Sequence, residues 1–434
     1  MLPQTGAAEI SSDQEAAGQA RRSSNQSEFG WGLADQALSS ATNFGGSILA
    51  ARALTSSGFG AVAVGFSLFL LVLGVSRAWS SEPLVIRYSA SLASDRAVAV
   101  SRAAGSSVAI GLVAGVLIGT IALAFDGALR AVLLVLAISL PFLALQDLWR
   151  FALIMQGRQR SAAANDGLWL LVMLLAFAVS SRSGLSPAGA IACWAVGALV
   201  AAVLGLFQLR CRPSVRALTW WTEQRDLGAR FAIEFLVVIG VSYALTIGVA
   251  AIDGLDDSAG LRGAQVLMGP LNVLFMGVGI QILPVMVHQV RHRLDRVWPT
   301  AVITSAGLAT AALVWGLGLL MIPDSFGRAL LGESWTAAAP LLPAFGWMYV
   351  ASAAGTGAFY GLRALADARR SLNTRLAVSP VVIAAGVSGA AIGGSLGAAT
   401  GLALANTVAL PVWWRSVRRS IQRHRGLNVE SGWA

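Results

Sequence analysis

The residues able to do chemistry are few, and they sit in apolar company. Asp35, Gln36, Asn43 and Arg52 share one hydrophobic segment, and Glu234 lies one turn inside another. A third segment carries Gln265, Asn272 and Gln281 among Gly269-Pro270, Gly277, Gly279 and Pro284. Amides and charges at such positions are costly unless they meet a partner or a water-filled cavity. Glycine and proline at that density bend a helix, so this third segment reads as a bent helix whose amides face a cavity or bond to a neighbouring helix. Asp35 and Arg52 lie near opposite ends of their segment, where each side chain can reach water, whereas Asn43 lies near its middle. Two same-helix pairs have a structural reading: Arg230 with Glu234, and Asp147 with Arg150.

Several chemistries are excluded or unsupported. No nucleophile–base constellation stands out. Cys193 and Cys211 make no disulfide framework, and His288, His292 and His424 make no metal-ligand set. Asp253, Asp256 and Asp257 share a glycine-containing loop and read as solvated. All 31 basic residues are arginine; without lysine there is neither the phosphate-gripping residue of a Walker-type loop nor Schiff-base chemistry. The chain is expected to be no enzyme and to need no cofactor or metal.

The elements that hold these residues follow from composition. Hydrophobic residues make up 56% of the 434 and charged ones 12%, about half the charged share of an ordinary soluble domain. The apolar residues come in runs of about twenty, the length of helix that crosses a hydrocarbon layer about 30 Å thick. They lack the alternation of barrel strands, which leaves helices to satisfy the backbone. The chain therefore reads as an all-α integral membrane protein with about twelve spans, near 31–52, 59–80, 105–125, 129–149, 166–181, 187–208, 231–252, 260–287, 299–322, 337–361, 376–393 and 396–414. Gly111, Gly115 and Gly119 form a smooth face for close helix packing, and Gly393, Gly394 and Gly397 have the same reading.

Loop charge orients the spans. With the N-terminus in the cytoplasm and loops alternating, 26 arginines fall inside and five outside (52, 130, 182, 262 and 328), as the positive-inside rule requires when both termini are cytoplasmic. That rule explains the net charge of +10 without nucleic acid as a partner. Tryptophans 31, 79, 149, 169, 220, 221, 298, 413 and 414 gather at the same helix ends, where indole suits the headgroup layer. Residues 1–28 read as a disordered cytoplasmic tail. An N-terminal lobe (29–209, six spans) and a C-terminal lobe (231–418, six spans) flank a polar cytoplasmic loop (210–230), and a basic tail (419–434) follows. Six spans per half would relate the lobes as parallel repeats.

Leu33-Ala34-Asp35-Gln36-Ala37-Leu38-Ser39-Ser40-Ala41-Thr42-Asn43-Phe44, with Ala51-Arg52-Ala53-Leu54 and Phe59-Gly60, resembles the opening of bacterial polysaccharide exporters. These are the O-antigen-type flippases of the multidrug/oligosaccharidyl-lipid/polysaccharide (MOP) superfamily. Leu145-Gln146-Asp147-Leu148-Trp149-Arg150 with Asp166 and Trp169 extends the resemblance, and Leu261-Arg262-Gly263-Ala264-Gln265 with Gly269-Pro270-Leu271-Asn272 carries it into the second half.

The resemblance implies two six-helix lobes around a central cavity in the bacterial cell membrane. They would work by alternating access, moving a polyprenyl-diphosphate oligosaccharide to the outer leaflet. Polysaccharide polymerase and glycosyltransferases would be the partners. Diphosphate and sugar hydroxyls require cations and amides. The candidates are Arg52 and Arg262 for charge, Asn43, Gln265 and Asn272 for hydroxyls, and Arg87 for the head group on the cytoplasmic side. An inside-negative potential favours outward movement of an anion by about 2.3 kcal/mol per charge per 100 mV, so ATP hydrolysis is not required. The rival within the superfamily is a cation-coupled small-molecule antiporter, for which Asp35 and Glu234 are the coupling or gating acids. A scaffold role in envelope assembly is a third class.

Overall fold

The computed structural model describes residue 31, residues 34–365 and residues 367–430; the tail expected over 1–28 lies outside them. Every described element is helical. The first helix, α1, covers 34–53, and Thr55 then caps α2 by accepting the Gly58 N–H at 3.2 Å. Helix α2 runs Ser56–Tyr88 with one π turn at Arg77–Ser81. It is followed by α3 (Ala93–Ala122), α4 (Gly127–Met155), α5 (Gln159–Ser180) and α6 (Pro187–Leu209). Ser186 starts α6 by accepting the Gly189 N–H at 3.0 Å, with Pro187 in the first turn, where its missing N–H costs nothing.

The second half opens with α7 (Ala217–Phe235), which passes through a π turn at Leu236–Gly240 into α8 (Val241–Ile252). Then come α9 (Leu255–Leu267), α10 (Gly269–His292), α11 (Val297–Leu320), the short α12 (Asp324–Leu331), α13 (Leu342–Ala364) and α14 (Ala368–Glu430). Among the described residues, nine helices are long and apolar enough to cross a membrane. This is a multi-pass membrane protein.

Several expectations are refined by the helices themselves. The long segment 260–287 does break, at Met268 between α9 and α10, where proline in the first turn of α10 cannot continue the hydrogen-bond ladder. The connection at 210–230, expected as a loop, is helical from Ala217, with one side apolar. On that side Trp220 is fully buried and donates its indole N–H to the Trp79 carbonyl at 2.8 Å, while Trp221 donates to Ser106 at 2.7 Å. Gly111 and Gly115 do let α3 approach α4: a Cβ at Gly111 would lie 2.6 Å from the Pro141 Cα. Gly119 meets nothing closer than ordinary contact. Gly393 and Gly394 are not packing residues. They break α14 into two arms, with Gly394 at φ +56°, a conformation that favours glycine.

The two halves touch firmly at the end away from most arginines. There Ser258 on α9 donates to the Gly60 carbonyl on α2 at 3.3 Å, and a Cβ on Gly60 would run into the Leu255 carbonyl. The loop at Gly332, with φ +59°, lies against the Ala51 carbonyl at the end of α1. Replacing Gly60 by valine should push α2 from α9 and open this end. The expected readout is a longer spin-label distance between positions 57 and 256, and an unchanged distance would refute the contact's role in closure.

Candidate functional site

The polar residues of the first half build a sealed ionic cluster. Arg150 on α4 donates to Asp35 on α1 at 2.8 Å and to Gln36 at 3.0 Å, and it lies 3.4 Å from Asp166 on α5. The side chains are 12%, 2% and 1% exposed for Arg150, Asp35 and Asp166. Gln146 donates to Asp166 at 2.8 Å and Asn165 donates to the Ala201 carbonyl at 2.8 Å, so four helices are tied together. Asp147 takes a fork from Arg77 on α2, at 2.9 and 2.6 Å.

Three expectations are corrected here. Asp35 does not reach water but is buried against Arg150. Asp147 does not pair with Arg150: three residues apart on one helix, they turn to different neighbours, Asp147 to α2 and Arg150 to α1 and α5. Glu234 does not pair with Arg230 but accepts from Arg375 at 2.8 Å, on the first arm of α14.

Between and beside these elements lies a cavity of about 670 Å³, lined chiefly by the second half, with Leu70 its contribution from α2. In the first half Phe66, Phe69 and Trp194 pack with tilted and edge-to-face rings, their centroids 4.5–5.7 Å apart. Arg262, Gln265 and Asn272 line the cavity together. Asn272 donates to the Tyr349 hydroxyl at 3.0 Å.

Arg262 also reaches back to the first half, donating to Ser47 at 2.8 Å and lying 4.0 Å from the centre of the Phe66 ring. Among the described residues it has no carboxylate partner. Asn43 lies with Ser47 and Arg262 in a side pocket of about 30 Å³, too small for a sugar. The other candidates are elsewhere. Arg52 is exposed at the end of α1, and Arg87 is occupied by Gln224 at 2.7 Å, the Glu223 carbonyl at 2.9 Å and Asp226.

Sequence reasoning missed much of the lining. Arg375, Tyr243, Tyr349, Ser352, Thr356 and Asn406 face the cavity, with Phe275, Phe359 and Trp413 as aromatic walls. Arg375 passed as one more arginine of the basic loops. A usable signal existed on α13, where Ser352, Thr356 and Phe359 recur at helical spacing within an apolar stretch.

No family model matches the chain, and no curated protein matches it. Solved structures do. A multidrug-resistance MATE-family transporter of the MOP superfamily, in its inward-facing conformation, overlays with a TM-score of 0.69 at 13% identity, covering 91% of this chain and 99% of that one. The lipid II flippase MurJ, inward closed, overlays at 0.70 with 10% identity, over 90% and 88% of the two chains. A MOP superfamily transporter from Pyrococcus furiosus, described by the reverse polarity of its binding pocket, gives 0.56 at 13% identity over 91% and 94%.

The chain shares its fold with these solved structures. In that fold the sealed cluster occupies the first half and the open cavity the second. Removing the cation from the cluster leaves two buried carboxylates unpaired, whereas removing one acid leaves Arg150 a partner. Arg150→Gln should therefore destabilise the protein by about 3–5 kcal/mol, and Asp35→Asn by less, read as thermal unfolding in detergent.

Proposed function

We propose that this protein is a membrane transporter that flips a lipid-linked oligosaccharide, carried on a polyprenyl diphosphate, from the cytoplasmic to the outer leaflet by alternating access. The observation that carries this reading is the polarity of the cavity. Two arginines line it, and no carboxylate does among the described residues. Glu234 meets Arg375 from outside the lining, which leaves Arg262 as the cation offered to a substrate. A diphosphate needs such a cation, and Arg262 is weakly held by a hydroxyl and a ring face rather than by an acid. Gln265, Asn272 and Asn406 supply amides for sugar hydroxyls, and the aromatic walls suit the apolar faces of sugar rings.

This reading takes twelve crossings with both termini in the cytoplasm of a bacterial cell. Helix α1, the short apolar α8 and the second arm of α14 would then add to the nine long apolar helices. The cavity would open toward the arginine-rich cytoplasmic end while the Gly60–Ser258 contact closes the other. Outward opening would pull α2 and α1 from α9 and free Arg262 from Ser47 and Phe66. Polysaccharide polymerase and glycosyltransferases would be the partners.

The second reading is a cation-coupled small-molecule antiporter. It draws on Asp35 and Asp166, two buried acids that share Arg150. Proton- or sodium-driven export of a drug from proteoliposomes, abolished by Asp35→Asn, would support it over flipping.

A deletion strain should accumulate diphosphate-linked repeat units on the cytoplasmic leaflet and lose surface polymer, as read by mass spectrometry. Arg262→Gln should reproduce most of that defect, on the order of tenfold slower flipping for one lost charge-assisted contact. Normal flipping with Arg262→Gln would count against the cavity cation. Orientation is checked at Cys211, between α6 and α7, whose thiol is pushed above its ordinary range by burial. An impermeant maleimide should label it only in inside-out vesicles, and faster as pH rises because little thiolate exists near neutrality.

A further inference from the structure

A second polar site lies outside the central cavity, between the two arms of α14 at the arginine-rich end. The cleft has a volume of about 550 Å³. Its walls are Arg370, Asn373 and Thr374 on the first arm and Ser416, Arg419 and Arg423 on the second. At about 100° per residue each set forms one helix face, nearly opposite the cavity-lining face on the first arm and roughly a quarter of the circumference from it on the second. The arms are pinned together here: Thr374 donates to Ser416 at 2.8 Å, and Ser420 donates to Asp367 at 2.8 Å.

Charge in this cleft is unbalanced. Asp367 is its one lining acid among the described residues, 3.6 Å from Arg370, against three arginines. One terminal nitrogen of Arg370, Nη1, is buried and has no hydrogen-bond partner among the described residues. A guanidinium nitrogen held in that state is prepared for an anionic oxygen, and hydroxyls and an amide stand beside it.

We propose that this cleft binds the phosphate of an anionic phospholipid. Free phosphate offers the same oxygens, but the walls favour the lipid. Deeper along both arms the lining turns apolar, at Ala377 and Val412. These lie about 10 Å below Arg370 and about 16 Å below Arg423 at 1.5 Å per residue. A head group at the mouth with an acyl chain running inward past them matches that gradient, as in basic pockets between membrane helices. The bound lipid would add to the two hydrogen bonds that pin the arms at this end.

The test uses the full-length protein in detergent, titrated with phosphatidylglycerol, phosphatidylcholine or inorganic phosphate, and read by native mass spectrometry and thermal unfolding. Phosphatidylglycerol should bind saturably and raise the Tm, while phosphatidylcholine should do neither. The double variant Arg419→Gln/Arg423→Gln, at exposed positions that do not threaten folding, should weaken phosphatidylglycerol binding on the order of tenfold or more. The charge-matched double Arg418→Gln/Arg425→Gln, on the opposite side of the helix, should leave it within about twofold, since only charges near the site contribute. Equal weakening by both doubles, or equal binding of the two lipids, would overturn the proposal. Stabilisation by inorganic phosphate as large as that by lipid would overturn the lipid assignment and make this an ion site.

Discussion

A charge inside a hydrocarbon layer must be answered by the protein, because the solvent will not answer it. Four arginines among the helices show the range of answers. Arg77 donates a fork to the Asp147 carboxylate, Arg150 is shared by Asp35 and Asp166, and Arg375 is met by Glu234. Arg262 is different. Its neighbours are a serine hydroxyl and the face of Phe66, which hold a guanidinium in place without neutralising it. That uneven answering divides the molecule into a half whose charges are spent on one another and a half with charge to offer.

The division also decides where space is left. In the first half, ionic pairs bind α1, α2, α4 and α5 to one another, and Phe66, Phe69 and Trp194 pack as an aromatic cluster beside them. A bundle cross-linked in this way is suited to move as one body. In the second half the helix is interrupted at Met268, between α9 and α10, and residues on both sides of the interruption, Arg262, Gln265 and Asn272, line the cavity. Arg262 sits on α9, less than two turns before that interruption.

Closure of the far end rests on small residues. Gly60 and Gly332 bring backbone against backbone where a side chain could not fit. The same end is packed as well: Phe59 and Val62 on α2 share one apolar core with Ala259, Leu261 and Leu331 of the second half, so parting the halves there must also expose apolar surface. The glycine break in α14 is of another kind, a turn between two arms, and its consequences are felt at the other end of those arms.

The medium and the class of structure were legible in the residues alone. Run length, the poverty of charge and the lopsided distribution of arginine required a helical membrane protein, and the Gly269-Pro270 pair required a bent helix. Those inferences rest on local properties: hydropathy is summed along the chain, and proline removes its own N–H. Partner choice was not local. Asp147 lay three residues from Arg150, yet it bonds to Arg77, seventy residues away in the chain. Arg262 bonds to a serine 215 residues distant. Arg375 looked like a loop charge until folding turned it to Glu234 and the cavity. Which polar residues neutralise one another and which remain for a ligand emerges on folding, because a side chain's energy in a low-dielectric interior is set by what lies within a few ångströms of it, and sequence separation does not measure that distance.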